Sequence, residues 1–175
     1  MTQYSKRMVM VHWLTLALLV AAFFLGHELA ESTDESKATV LGYQLHALAG
    51  ITILLLSLTR LYFRKQDGTP PALGQTPMDK MAKGIHHLLY TLLVVLPISG
   101  FVTVVTSDAI KGLQANDASL LPKDDGFENV FAHEVHELLG VVLIAIVALH
   151  VLGAIKHHFI MKDGLMERMM LRRKD

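Results

Sequence analysis

The stretch HELLGVVLIAIVALHVLGAIK, at residues 136–156, indicates the fold of this chain, because it is apolar over membrane length and carries two histidines. About 20 such residues span a hydrocarbon core of roughly 30 Å as a helix. An ionisable residue inside a spanning helix is costly and therefore indicates a function. His136 and His150 are 14 residues apart, close to four whole turns, so they lie on nearly the same face about 21 Å apart.

Three further apolar runs of similar length precede this one, at about 8–29, 41–63 and 84–106. The chain has 175 residues, of which 52% are hydrophobic. These runs predict an all-α protein, an integral membrane four-helix bundle that forms one domain over residues 1–175. Lys6 and Arg7 before the first run resemble the start of a signal peptide. The run is long for that purpose and no clean cleavage site follows, so we expect it to remain as the first span.

The basic residues predict the orientation of the bundle. With the N-terminus inside, 13 of the 16 lysines and arginines lie on the inner side, and only Lys37, Lys111 and Lys123 lie outside. Basic residues favour the cytoplasmic side of a membrane, so both termini are predicted to be cytoplasmic. The connection at 108–129 is then external, polar and acidic, with a turn signal at 124–126, and the basic, Met-rich tail is an interfacial amphipathic segment.

Charge and cysteine content exclude several function classes. A formal net charge of zero leaves no basic surface for nucleic acid. The absence of cysteine excludes disulfides, thiolate metal sites and iron–sulfur ligation.

The histidines in the spans sort into two depths. His12 lies about one turn into the first helix and reaches the level of His150, while His46 lies near the outer start of the second helix, level with His136. A lone helical histidine is more often a satisfied polar group, but this fourfold match predicts an inner pair and an outer pair. Histidine pairs on facing helices hold haem or metal in bundles. Glycines one turn or less from three of these histidines would leave room for a planar ring; they are Gly50, Gly140 and Gly153.

Each span also carries a short motif in which histidine accompanies aromatic, glycine or charged residues. The first has Tyr4-Ser5 and His12-Trp13, and the second has His46-x-x-x-Gly50-Ile51 and Arg60-Leu61. The third has His86-x-x-x-Tyr90 and Leu96-Pro97-x-x-Gly100. The fourth has His136-Glu137, His150, His157-His158, Lys162-Asp163 and Arg168-Met169. In this order, the motifs resemble those of the bacterial cytochrome b561 family, the small four-helix di-haem type.

The resemblance implies two haem b groups in the bacterial inner membrane, with axial ligands His12, His46, His136 and His150. It also implies a pocket for ubiquinone, the electron acceptor, near the inner haem. The chain looks like the branch that contains the bacterial superoxide oxidase, a superoxide:ubiquinone oxidoreductase. Superoxide is therefore the expected donor on the periplasmic side.

Several polar residues at the inner end are candidates for this pocket or for the haem. Quinone reduction needs two protons, and histidine supplies protons near neutral pH. His157 and His86 are the first candidates, with weaker ones in His87 and His158. Arg60 is the candidate partner of the inner haem propionates, and Trp13 is an interfacial anchor or packs on a cofactor.

Other roles for the remaining residues stay open. Outside, Lys111 or Lys123 would serve the outer propionates or attract superoxide, and His27 and His133 are expected to be interfacial side chains. Two rival interpretations also remain. The chain could be a cytochrome b anchor for a periplasmic dehydrogenase or hydrogenase docked around 108–129. Alternatively, it could be a haem-free proton or metal transporter that uses its buried histidines.

Overall fold

Four long helices form the body of the protein in a computed structural model that describes residues 3–30, 40–71, 74, 76–122, 127 and 130–171. They are α1 (Lys6–Ala30), α2 (Val40–Asp67), α3 (Pro77–Thr106) and α5 (Phe131–Ile155), with a short helix α4 (Ala109–Ala115) between the last two. All four long helices are long and apolar enough to cross a membrane. The predicted all-α membrane bundle is confirmed.

The helices extend beyond the apolar runs because polar residues at their ends continue the helical backbone. α3 begins at Pro77 rather than near residue 84. At this start, Thr76 and Asp79 form a capping box. The Asp79 N–H donates to Thr76 Oγ1 at 3.3 Å, and the Thr76 N–H donates to Asp79 Oδ2 at 2.8 Å. Such a box satisfies N–H groups that a helix start leaves free. The predicted apolar runs therefore lie within the helical segments and do not mark the helix ends.

The helices associate as two pairs, α1 with α2 and α3 with α5, and α2 joins the pairs by packing on α3. A small apolar cluster lies between the first pair and α3, formed by Ala22, Ala49 and Ile53 with Leu18, Leu19 and Leu93. Large apolar side chains cover the outside of the bundle. Phe24, Leu138 and Leu152 are each at least 60% exposed, an arrangement that suits lipid and would be unfavourable in water.

The described part of the connection at 108–129, which the sequence predicts to be external, contains more structure than its sequence suggested. Helix α4 is followed by a 3₁₀ turn, Ala118–Leu120. Ala109 and Leu121 are buried, and Gly112 lies so close to Leu121 that an added Cβ would stand 2.7 Å from Leu121 Cδ2. A seven-residue helix is too short to leave a clear periodic pattern, which is why the sequence predicted a loop. The external loop at 31–37 and the turn signal at 124–126 lie outside the described residues.

The C-terminal segment folds back onto the inner end of the bundle. α5 continues as a π-helical turn, Lys156–Met161, and a 3₁₀ turn follows at Met166–Met169. The Tyr4 N–H donates to the Arg168 carbonyl at 3.1 Å, and Arg168 Nη1 donates to the Pro71 carbonyl at 2.7 Å. Arg168 was predicted to be one of the inner-side charges, in an interfacial amphipathic segment. It is instead buried, because it joins the tail to the N-terminus and to the connection after α2.

Candidate functional site

The outer pair brings together His46 from α2 and His136 from α5. Their ring centres are 6.1 Å apart and the rings are nearly perpendicular, at 84°. His46 Nδ1 lies 3.0 Å from the carbonyl of Ala22, and His136 Nδ1 lies 3.1 Å from that of Leu96. A carbonyl oxygen only accepts hydrogen bonds, so each Nδ1 carries the proton and each Nε2 keeps a free lone pair. This is the usual state of a histidine that binds a metal through Nε2.

Two glycines make these hydrogen bonds sterically accessible. A Cβ added at Gly26 would stand 2.9 Å from His46 Cε1, and one added at Gly100 would stand 2.9 Å from His136 Cε1. In both cases the carbonyl that accepts the Nδ1 proton belongs to the residue four positions before the glycine. The pair α1–α2 and the pair α3–α5 therefore present an equivalent arrangement, in which one helix orients the histidine of the other.

Ser99 adds a contact that only the second of these arrangements has. Its Oγ donates to the Leu96 carbonyl at 2.8 Å and lies 3.1 Å from His136 Nδ1. Ser99 is buried, so this hydroxyl is part of the interior around the outer pair.

The inner pair brings together His12 from α1 and His150 from α5, with ring centres 6.3 Å apart and an angle of 72°. Within the described part of the chain, no hydrogen bond holds either ring. His86 from α3 also lies here, with its ring centre 5.1 Å from that of His150. Its Nδ1 donates to the Ala82 carbonyl of its own helix at 2.7 Å, and the residue stays exposed. The inner end is therefore a cluster of three imidazoles with one accessible member.

Arg60 is the cation of this inner cluster. It is close enough to His12, His86 and His150 for its charge to act on all three. Its guanidinium carbon lies 5.6 Å from the ring centre of Tyr90. Among the described residues, the buried Arg60 Nε has no hydrogen-bond partner. A buried donor without a partner is unfavourable, so this site suits an anionic group such as a carboxylate.

The spacing within each pair fits an iron between the two imidazoles. Two metal–nitrogen bonds of about 2 Å, with roughly 1 Å from each nitrogen to its ring centre, separate the centres by about 6 Å. The measured separations are 6.1 and 6.3 Å. A Cβ built at Gly50, Gly140 or Gly153 would meet no atom within 4 Å, so open space remains beside the histidines. The residues present therefore fit a bis-histidine haem at each level.

Trp13 lies beside the inner pair and links it to the tail. Its ring centre is 5.2 Å from that of His12, and its indole N–H donates to the Met169 carbonyl at 2.9 Å. The side chain is 41% exposed. Trp13 thus both contacts a candidate ligand and fastens the C-terminal segment.

His157 lies at the inner end of α5, where its Nδ1 is 2.5 Å from Asp163 Oδ2. Two other histidines at the inner end make only local contacts. His87 donates to the Lys83 carbonyl at 2.8 Å and is exposed. The His158 ring packs edge-on against Phe159, with centres 4.7 Å apart. Of the four inner-end candidates, the structure brings only His86 into contact with the histidine pair.

The two remaining outer histidines contact side chains other than the outer pair. His133 Nε2 lies 3.3 Å from Glu137 Oε1, and its ring stacks on Phe127 at 4.5 Å. His27 stacks on Phe23, with ring centres 6.0 Å apart. Lys111, a predicted external cation, pairs with Asp108 at 2.6 Å, and Lys123 lies outside the described residues.

Sequence reasoning assigned no role to Gly26, Gly100, Ser99, Tyr90 or Asp163. A signal was present for three of them, because Tyr90, Gly100 and Asp163 belong to the motifs that carry the family resemblance. The motif Leu96-Pro97-x-x-Gly100 in fact contains both the carbonyl and the glycine that orient His136. Gly26 and Ser99 could be recognised only once the helices were set against each other.

Comparison with known proteins agrees with this architecture. The sequence model of a family described as prokaryotic cytochrome b561 matches residues 3–171. Cytochrome b562 of Cereibacter sphaeroides is 28% identical over 171 residues, which cover 95% of this chain and 94% of that protein. Cytochrome b561 homolog 1 of Escherichia coli is 28% identical, with 99% and 100% covered. The probable superoxide oxidase CybB of Yersinia pestis is 29% identical, with 98% of each covered.

Proposed function

Since the chain belongs to the prokaryotic cytochrome b561 family, we propose that it holds two haem b groups, one between His46 and His136 and one between His12 and His150. The protein is a membrane electron-transfer protein of the bacterial inner membrane, and the family implies haem b. Membership of a cytochrome family therefore argues against the interpretation of the chain as a haem-free proton or metal transporter. The observation that carries the proposal is the presence of two imidazole pairs at iron-spanning separations, 6.1 and 6.3 Å.

The chain's own residues keep the ligand nitrogens available. A haem held by both histidines of a pair would supply one-electron chemistry there. In the outer pair, the Ala22 and Leu96 carbonyls hold the Nδ1–H tautomer and leave Nε2 as the nitrogen available to a ligand. Such outer-shell partners fix the orientation of a ligand and raise its basicity.

Arg60 is proposed to bind the propionates of the inner haem. It offers a buried Nε without a described partner, next to the inner cluster. A guanidinium matches a carboxylate with two parallel hydrogen bonds. The nearby Tyr90 ring lies 5.6 Å from the guanidinium carbon and helps to hold it in place.

Electrons are proposed to pass inward, from a periplasmic donor at the outer pair to ubiquinone near the inner pair. This direction rests on the basic-residue bias that predicts both termini in the cytoplasm. The quinone site is proposed beside the inner pair, where His86 is exposed and contacts His150. His157 follows His150 by seven residues and lies in the π-helical turn that continues α5.

The proposed donor is superoxide. The relative from Yersinia pestis, named a probable superoxide oxidase, matches this chain over nearly its whole length. Two superoxide ions each lose one electron to become oxygen, and one quinone gains both electrons and two protons to become quinol. Lys111 is a weak candidate for attracting superoxide, because its charge is paired with Asp108.

An alternative is that the chain serves as the membrane cytochrome of a periplasmic dehydrogenase or hydrogenase. Helix α4 and the 3₁₀ turn after it give the outer end a defined surface on which such a partner could dock. A protein that oxidises superoxide without any partner would argue against this alternative.

The proposal is tested first by the reduced-minus-oxidised spectrum of the purified protein, together with the haem-to-protein ratio. We expect b-type bands and two haems per chain. His136→Ala and His150→Ala should each leave one haem, the inner and the outer respectively, whereas the control His133→Ala should keep both. One haem in the unaltered chain, or two haems in His136→Ala, would refute the ligand assignment. Superoxide-dependent reduction of ubiquinone by the two-haem protein then tests donor and acceptor.

A further inference from the structure

The inner end of α5 has an unusual backbone. The helix widens into the π-helical turn Lys156–Met161, after which Lys162 adopts φ 50° and Gly164 adopts φ 77°. Positive φ is unfavourable for a residue with a side chain, and π-helical turns are frequent at functional sites. These features reverse the chain so that residue 163 returns towards the turn it has just left.

The reversal brings Asp163 onto His157. The two side chains meet at 2.5 Å, between Nδ1 and Oδ2, and both are partly buried, with 25% and 22% exposed. The Leu165 N–H donates to the other carboxylate oxygen at 3.1 Å. Burial opposes ionisation of Asp163, but the hydrogen bonds from His157 and Leu165 outweigh it and lower the pKa of Asp163. Asp163 is therefore a carboxylate that accepts at both oxygens.

This contact leaves His157 Nε2 as the free nitrogen of the ring. Among the described residues, no hydrogen bond involves Nε2, and His157 lies in the π-helical turn that continues α5 beyond His150. Asp79 on α3 is close enough to His157 for their charges to interact, and Asp79 is also near Lys83. Lys156 and Lys162 belong to the same segment as His157. Asp79 is engaged in the capping box with Thr76, so Asp163 is the carboxylate that touches the imidazole.

We propose that Asp163 is a positioning residue that holds His157 ready to deliver protons to a quinone bound near the inner histidine pair. This inference rests on the proposed function. As the quinone takes up electrons, the Nε2–H bond of protonated His157 breaks and an O–H bond forms on a quinone oxygen. The Nδ1–H bond to Asp163 stays, and a proton from the inner aqueous phase restores Nε2–H. Two such transfers, with two electrons from the donor, complete the quinol.

The test follows only the reduction of ubiquinone by the reduced protein, so that it does not depend on the identity of the donor. Purified holoprotein is reduced chemically and mixed with a short-chain ubiquinone, and haem reoxidation is timed at a series of pH values around neutrality. General acid catalysis contributes about 10²–10⁴-fold to rates. We expect Asp163→Asn to slow haem reoxidation about tenfold, which is part of that contribution. Its pH–rate profile should also differ from that of the wild type, because the imidazole has lost its carboxylate partner.

Matched variants separate positioning from simple structural support. Asp163→Asn should keep both haem bands, Asp163→Glu should recover part of the rate, and Glu167→Gln, which removes a carboxylate from the same segment, should behave as wild type. In a His157→Gln background, Asp163→Asn should have no further effect, since the two residues act as one unit.

Each failure has a distinct meaning. An Asp163→Asn protein with the wild-type rate and pH profile would overturn the inference alone, as would equal losses in the presence and absence of His157. A reduced wild-type protein that ubiquinone cannot reoxidise would overturn the proposed quinone reduction and the inference with it.

Discussion

His136 on α5 is oriented by Leu96 on α3, through an Nδ1–H···O=C hydrogen bond of 3.1 Å. α3 itself provides no member of either histidine pair. The bond exists because Gly100 leaves room for the ring, and α1 offers His46 the same combination of carbonyl and glycine. The geometry of the outer pair therefore depends on two residues without side chains.

Gly100→Ala should disturb the outer pair selectively. The new methyl group would stand 2.9 Å from His136 Cε1, closer than packing allows, so the ring must move off its carbonyl. We expect the outer haem to be lost or weakly held while the inner one remains, which halves the haem-to-protein ratio. Gly26→Ala should have the same effect through His46.

Gly84→Ala is the control for both glycine variants, since a Cβ there meets no atom within 4 Å. It should keep both haems. Full haem content in Gly100→Ala would show that the ring can tilt without losing its iron.

Arg60→Gln should lower the reduction potential of the inner haem. A positive charge stabilises the more negative, reduced state, and Arg60 acts directly on both inner histidines. We expect a fall of roughly 30–60 mV, the latter being about tenfold in the equilibrium constant of a one-electron couple. Potentiometric titration measures it, with the outer haem as an internal reference. A shift confined to the outer haem would contradict the assignment of Arg60 to the inner site.

Arg168→Ala should loosen the inner end of the protein. The side chain is buried and donates to the Pro71 carbonyl, and its loss leaves that acceptor without this donor, which costs about 1–3 kcal/mol. We expect faster proteolysis of the tail and a lower melting temperature, with the outer haem unaffected. Lys162→Ala, an exposed change in the same segment, should not reproduce the effect.

Acidification should release the C-terminal segment at a pH that reports on Asp163. Its folded pKa lies below the usual value of 3.8, so its stabilising effect is present above that value and is lost as pH falls through the folded pKa. Hydrogen exchange of residues 162–169 should therefore accelerate below about pH 4. In Asp163→Asn, exchange should be faster already at neutral pH and should lack this acid step.

The sequence predicted the histidine pairs from depth alone, because 14 residues in α5 correspond to four turns and set His136 and His150 at two levels. It did not reveal Gly26, since the face on which a helix meets its neighbour is decided by packing. The contact of His157 with Asp163 could not be predicted from the sequence either, because it requires a π-helical turn and a positive φ at Lys162. Helix α4 was not predicted, because seven residues are too few to show the periodicity of apolar residues that indicates a helix.

The equivalent arrangements on α1–α2 and on α3–α5 divide the molecule into two hairpins. Each histidine pair takes one member from the first hairpin and one from α5 in the second. A ligand that bridges a pair would therefore connect the two hairpins, and two such ligands would connect them at both levels. Assembly of the protein would then end with cofactor insertion, and the cofactor-free chain would be two hairpins joined mainly through α2 and α3.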